Sequence, residues 1–156
     1  MSLTKFSPIL KQLTISFKDE NLLRTAFTHR SYLNEAGKNL ASNERLEFLG
    51  DAILSFIVSS YLYESYPKHS EGMLTNLRST IVKTKTLAEV ARELKFGEYL
   101  FLSRGEEDGG GRLNQSLLAD TFEAFLGALY LDQGLSVSQA FLKSVFLCSL
   151  FLDYFH

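Results

Sequence analysis

A single cysteine, Cys148, among 156 residues leaves no partner for an intramolecular disulfide and no cysteine-rich zinc site. A reducing compartment, the cytoplasm, is the expectation. Positive charge is not in excess either: 16 Lys and Arg stand against 18 Asp and Glu, a formal net charge of -2. Proteins that grip phosphate backbones by charge alone are basic, so a nucleic-acid partner here must be held by something more. The stretch from Met1 to Leu10 carries one lysine, a proline and no long apolar run, and does not read as a signal peptide. The longest apolar runs, Ile53 to Val58 and Val145 to Leu152, fall short of the ~18 residues a membrane span needs. No membrane association is expected.

What is present is a good core. Apolar residues make up 46% of the chain and aromatics 13%, enough for one domain over residues 1–156 without disulfides or a structural metal. Apolar spacings of three and four recur nearly throughout, and no hairpin-bounded alternation appears, so the fold class is all-α. A first helix is expected over Leu3 to Leu13, and Asp19 caps a second carrying Leu22, Leu23, Ala26 and Phe27. Asn34 to Ser42 reads as a loop. A long helix runs from Asn43 to Tyr66, where Pro67 stops it. Ser70 caps the next stretch, which reaches Leu94 with a break near Lys83 and ends at Gly97. Gly97 to Gln115, with five glycines, reads as a loop or flap. Ser116 to Gln133 forms another helix closed by Gly134, and Ser136 begins the last.

The chemistry lies in two acidic stripes. On a wheel of about 100° per residue, Glu44 at zero puts Glu47 near 300° and Asp51 near 340°. Such a stripe is ordinarily a solvated helix face. Here the same arc continues into Val58 and Leu62, on a helix that is apolar nearly all round and therefore buried. Carboxylates aligned with core positions raise one another's pKa and destabilise the fold unless a cation neutralises them. No Lys or Arg shares the arc; Arg45 points about 100° away. The helix from Ser116 repeats the pattern with Asp120 and Glu123, followed on the same face by Gly127, where another helix can approach closely. Two acidic pairs can thus converge, and oxygen-only ligands suit Mg²⁺ or Mn²⁺ rather than zinc. The implied chemistry is metal-assisted phosphoryl transfer or hydrolysis.

At these residues the chain resembles a known family. Asn43 to Leu54, reading NERLEFLGDAIL, is similar to the signature of ribonuclease III. Thr28-His29-Arg30-Ser31-Tyr32 resembles the family's upstream stretch, and Ser116 to Asp132, SLLADTFEAFLGALYLD, its second acidic helix. The resemblance covers essentially the whole chain and implies the family's helical endonuclease domain, a homodimer that cuts double-stranded RNA. The products would carry 5′-phosphate and 3′-hydroxyl ends with two-nucleotide 3′ overhangs, in rRNA and mRNA processing. It implies Glu47, Asp51, Asp120 and Glu123 as metal ligands, with Glu44 and Glu71 as further acids of the cleavage site. Glu71 by itself reads as a favourable charge in a first helical turn. Mg²⁺ is the implied cofactor, with Mn²⁺ substituting. Phe48 resembles the aromatic that inserts into the partner subunit, although the wheel allows it equally as a core residue. The apolar load of Leu54, Ile57 and the last helix fits a dimer or a core.

Two departures from the family pattern concern RNA. Leu113-Asn114-Gln115 stands where members often carry a basic residue, leaving Arg112 as the nearest cation. The chain reaches only to His156, where the family continues into a basic RNA-binding domain, which accounts for the mild acidity. Arg30, Arg78 and Arg112 are the candidate RNA contacts. His29 either faces RNA or packs within its helix. Lys83, Lys85 and Arg92 read as a solvated face, and Gly109 to Gly111 lack the Gly-Lys-Ser/Thr of a phosphate loop. The alternative function is a non-catalytic, dimeric RNA-binding relative, which loss of acids would mark; all six are present. A di-metal oxidase needs Glu-x-x-His pairs, absent from both acidic helices, and a phosphohydrolase of small molecules lacks the family match.

Overall fold

The computed structural model describes residues 5–37 and 39–149, the side chains of 147–149 excepted. Its α-helices are α1 (Ser7–Leu13), α2 (Glu20–Ala26), α3 (Arg30–Ala36), α4 (Glu44–Ser65), α5 (Glu71–Val82), α6 (Thr84–Glu93), α7 (Arg104–Asp108), α8 (Gln115–Gln133) and α9 (Leu135–Ser149). Among the described residues the one β-feature is an isolated bridge between Thr28 and Phe101. The chain is all-α, as its periodicity requires.

The expected caps form. Asp19 accepts from the Asn21 N–H at 2.9 Å, and Ser70 Oγ accepts from the Met73 N–H at 3.3 Å. Tyr66, at φ -126°, leaves the helical region one residue before Pro67. Lys83, at ψ 151°, separates α5 from α6. The expected start of α1 at Leu3 and the continuation of α9 past Ser149 lie outside the described residues.

Three segments depart from expectation. Asn34 to Ala36 are helical, and the turn begins only at Gly37, φ 97°. The stretch after α6 turns at Lys95, φ 58°, rather than at Gly97. Gly97 serves a close approach: a Cβ there would lie 2.1 Å from the Arg112 carbonyl oxygen. The glycine-rich stretch is not a flap. It contains α7, capped by Ser103 Oγ accepting from the Glu106 N–H at 3.1 Å, and 3₁₀ turns at Phe96–Tyr99 and Gly111–Leu113. A five-residue helix presents no apolar period, so the pattern could not show it.

Helices α4 and α8 cross at the centre. At the crossing, a Cβ on Gly50 would fall 1.7 Å from the Glu123 carbonyl oxygen, and one on Gly127 would fall 2.4 Å from that of Leu46. Around this contact the buried core draws on α1, α2, α4, α6, α8 and α9, with Phe27, Phe96, Phe122 and Phe125 fully enclosed. Leu54 and Ile57 are core residues. Phe48 is not: it is 82% exposed. Among the described residues α4 alone is long and apolar enough to cross a bilayer, but it packs against α5 and α8 and carries Glu44, Glu47 and Asp51.

Because backbone stands opposite each glycine, neither helix can yield to an added methyl without separating. Gly50→Ala and Gly127→Ala should each destabilise by at least the ~1–3 kcal/mol typical of overpacking. Thermal unfolding checks this, at roughly 2–4 °C of Tm per kcal/mol for a chain of this size; an unchanged Tm in both variants would contradict the close crossing.

Candidate metal centre

The first turn of α4 is fixed by a residue that carries no charge. Asn43, buried, donates its backbone N–H to the Thr28 carbonyl at 2.8 Å and its Nδ2 to that of Ala26 at 3.2 Å. Its own carbonyl accepts the Glu47 N–H at 2.8 Å. The start of the acidic helix is thereby held to the segment after α2. Asn114 caps α8 by accepting the Leu117 N–H at 3.1 Å, which sets the register of Asp120 and Glu123.

The crossing at Gly50 and Gly127 then brings the stripes together. One carboxylate oxygen from each of Glu47, Asp120 and Glu123 lies within 4.8 Å of the others, and all three residues are half-buried. Asp51, the fourth expected ligand, lies outside that triad and is exposed, one helical turn along α4 from Glu47, and its carboxylate helps to raise Glu123. The other two acids are engaged elsewhere. Glu44 accepts from Ser42 Oγ at 2.8 Å and pairs with Arg30 at 3.8 Å; Glu71 accepts from Thr75 Oγ1 at 3.0 Å at the start of α5.

The electrostatics follow from this crowding. Burial raises Glu123 to about 8, with Asp51, Glu47 and Asp120 adding to the rise. Glu47 is raised by burial and then by the charges of Asp120, Glu44 and Asp51. Asp120 is raised by burial, and His29 opposes the rise. The ion pairs of the described residues, Arg30 with Glu44 and Arg112 with Glu107, do not involve the triad. A hard divalent cation would supply the missing charge, and an all-carboxylate donor set fits Mg²⁺ or Mn²⁺.

The chain is also similar to known proteins. A family model described as Ribonuclease-III-like matches residues 19–150. The chain belongs to the ribonuclease III family. Ribonuclease 3 of Streptococcus sanguinis is 52% identical over 138 residues, 88% of this chain and 60% of that protein. Ribonuclease 3 of Chloroflexus aurantiacus is 48% identical over 141 residues, 88% and 58% of the two chains. This chain thus spans about 60% of the length of the curated relatives it matches. Among solved structures, the nuclease domain of ribonuclease III from Campylobacter jejuni superposes with a TM-score of 0.86 at 36% identity, covering 96% of this chain and 99% of that one. That nuclease domain has a region involved in dimer formation. Dicer from Pichia stipitis matches at a TM-score of 0.63 and 32% identity, covering 85% of this chain and 56% of that one.

The candidate RNA contacts fall differently within this ribonuclease III fold. Arg30 is 72% exposed beside Glu44. Arg78 donates to Ser59 Oγ at 2.9 Å. Arg112 donates to the carbonyls of Gly97 and Leu100 at 2.9 and 3.0 Å and to Glu107 at 2.8 Å, joining the two 3₁₀ turns. Two site features escaped the sequence. Gly50 was the findable one, since glycine inside a helix costs about 1 kcal/mol against alanine and so signals a packing demand. The interaction of His29 with Asp120 had no such signal.

The raised acids set the sign of the pH dependence. A group held above its unfolded value stabilises the fold fully below that value, 4.5 for glutamate, and loses the contribution as pH rises through its folded value, about 8 for Glu123. The metal-free Tm should therefore fall between those limits, and the gain in Tm on adding Mg²⁺ should grow over the same range as the ion displaces protons. A Mg²⁺ effect independent of pH would contradict the site.

Proposed function

We propose that this chain is a single catalytic domain that hydrolyses phosphodiester bonds in double-stranded RNA with Mg²⁺, for which Mn²⁺ substitutes. The products carry 5′-phosphate and 3′-hydroxyl ends with two-nucleotide 3′ overhangs, and the cellular setting is cytoplasmic rRNA and mRNA processing. The observation that carries this reading is the triad of Glu47, Asp120 and Glu123 within 4.8 Å, in a chain of the ribonuclease III family. Those three would hold the ion, and Asp51, one helical turn along α4 from Glu47, would complete the set. The ion supplies Lewis acidity at the phosphate and a nucleophile at neutral pH. Glu44, beside Arg30, lies next to the ligands along α4, and Glu71 serves from the first turn of α5.

The substrate and the partner subunit meet the same helix. Phe48, Phe56 and Tyr63 expose 82%, 56% and 75% of their surface along α4, an apolar face that supports a homodimer with Phe48 entering the partner. Arg30 is the favoured RNA contact because its side chain is open to solvent, whereas Arg78 and Arg112 are engaged within the fold. With a net charge of -2, the chain should hold RNA weakly and with a steep salt dependence.

Labelled double-stranded RNA, incubated at low salt with and without Mg²⁺, should yield short duplexes with two-nucleotide 3′ overhangs only when the ion is present. Glu123→Gln should abolish cleavage while leaving the dimer intact by analytical ultracentrifugation; an unchanged rate in that variant would remove the assignment. Intact RNA with the unaltered protein, despite measurable Mg²⁺ binding, would favour the non-catalytic RNA-binding relative. Phe48→Ala should weaken dimerisation about tenfold or more without lowering the monomer's stability, and an unchanged dimer constant would exclude Phe48 from the interface.

A further inference from the structure

Lys5 and Arg24 share one aromatic ring. Lys5 Nζ lies 4.0 Å from the centroid of the Phe101 ring, and the Arg24 guanidinium carbon lies 5.3 Å from it. Tyr32 and Phe6 pack against the same ring, with centroids 5.4 and 6.3 Å away. A third cation belongs to the group: Arg112 donates to the carbonyl of Leu100, the residue before Phe101, at 3.0 Å. The nearby acid, Glu107, is engaged by Arg112 at 2.8 Å. None of the ion pairs of the described residues involves Lys5.

The ring attracts each cation, but the cations repel one another. Desolvation lowers the Lys5 pKa, the charge of Arg112 lowers it further, Glu107 opposes, and Arg24 adds to the fall. An anion that offers several oxygens relieves the repulsion, and phosphate is such a group.

The backbone around Phe101 relates this group to the acidic helix. Phe101 donates its N–H to the Phe27 carbonyl at 2.8 Å and accepts the His29 N–H at 3.1 Å; Thr28, between those two, gives its carbonyl to the N–H of Asn43, the residue before Glu44. Two backbone spacings, roughly 10 Å, therefore separate Phe101 from the start of α4. A nucleic-acid duplex carries a phosphate about every 1.7 Å of its axis. One held at the acids brings others within such a distance.

We propose that Lys5 and Arg24, against the ring of Phe101, bind a backbone phosphate of the RNA duplex away from the metal centre. This rests on the reading of the chain as a nuclease of double-stranded RNA, and it extends the RNA footprint to α2 and to the turn before α1. Positive charge gathered at one place lets a chain of net charge -2 hold a polyanion.

Binding of labelled double-stranded RNA is measured over a range of salt in Ca²⁺, a hard cation that also takes oxygen ligands. Lys5→Gln should lower affinity about fivefold or more at low salt, on RNAs of unrelated sequence alike, and reduce the slope of log affinity against log salt by about one. Lys5→Arg should keep both. Lys11→Gln removes the same charge at the far end of α1 and should leave the slope unchanged. An unchanged slope in Lys5→Gln, an equal change in Lys11→Gln, or no RNA binding by the unaltered protein would overturn the proposal. Proton–nitrogen spectra of the Lys5 ammonium distinguish the source of the anion: RNA should move its resonance at concentrations where inorganic phosphate does not. A resonance moved by inorganic phosphate, with RNA affinity intact in Lys5→Gln, would make this a site for free phosphate and overturn the RNA contact. Should the unaltered protein bind RNA yet cut none in Mg²⁺, the nuclease reading fails, while the salt slopes still decide the role of Lys5.

Discussion

The distance between α4 and α8 governs everything else in this molecule. Two glycines, each facing the other helix's backbone, let the axes approach more closely than any side chain would allow. That approach does two things at once. It closes the core around Phe122 and Phe125, and it presses carboxylates from both helices into a half-buried space. The apolar contacts around the crossing offset the repulsion, so the fold can hold an arrangement that would not assemble by itself.

The site therefore stores electrostatic strain in the absence of a counter-ion. Like charges that cannot separate are relieved by taking up protons or by taking up a cation, and burial together with the neighbouring carboxylates raises Glu123 accordingly. Ion binding, proton release and added stability are linked consequences of one geometry. The surrounding hydrogen bonds serve this arrangement. Asn43 sets the first turn of α4, and Asn114 sets the register of α8.

Much of this was legible in the residues. The acid arcs, the caps at Asp19 and Ser70, the stop before Pro67 and the close approach at Gly127 each follow from a local rule that the structure obeys. What was not legible depends on contacts distant in sequence. Helix α7 is held by its Ser103 cap and by Glu35 accepting the Arg104 N–H at 3.0 Å, and nothing in the polar pentapeptide Arg104–Asp108 announces that. Arg112, a candidate RNA contact by its place in the sequence, is joined to two backbone carbonyls across the Gly97 contact, which no local pattern shows. Phe48 could not be assigned from a wheel because an interface and a core ask for the same side chain; its exposure excludes the core.

The central claim is that the acids of α4 and α8 form one divalent-metal site. Crystals grown with Mn²⁺ and measured at its absorption edge test this most directly. The account predicts an anomalous peak bounded by the carboxylates of Glu47, Asp120 and Glu123. A peak elsewhere, or none there at saturating Mn²⁺, would contradict it.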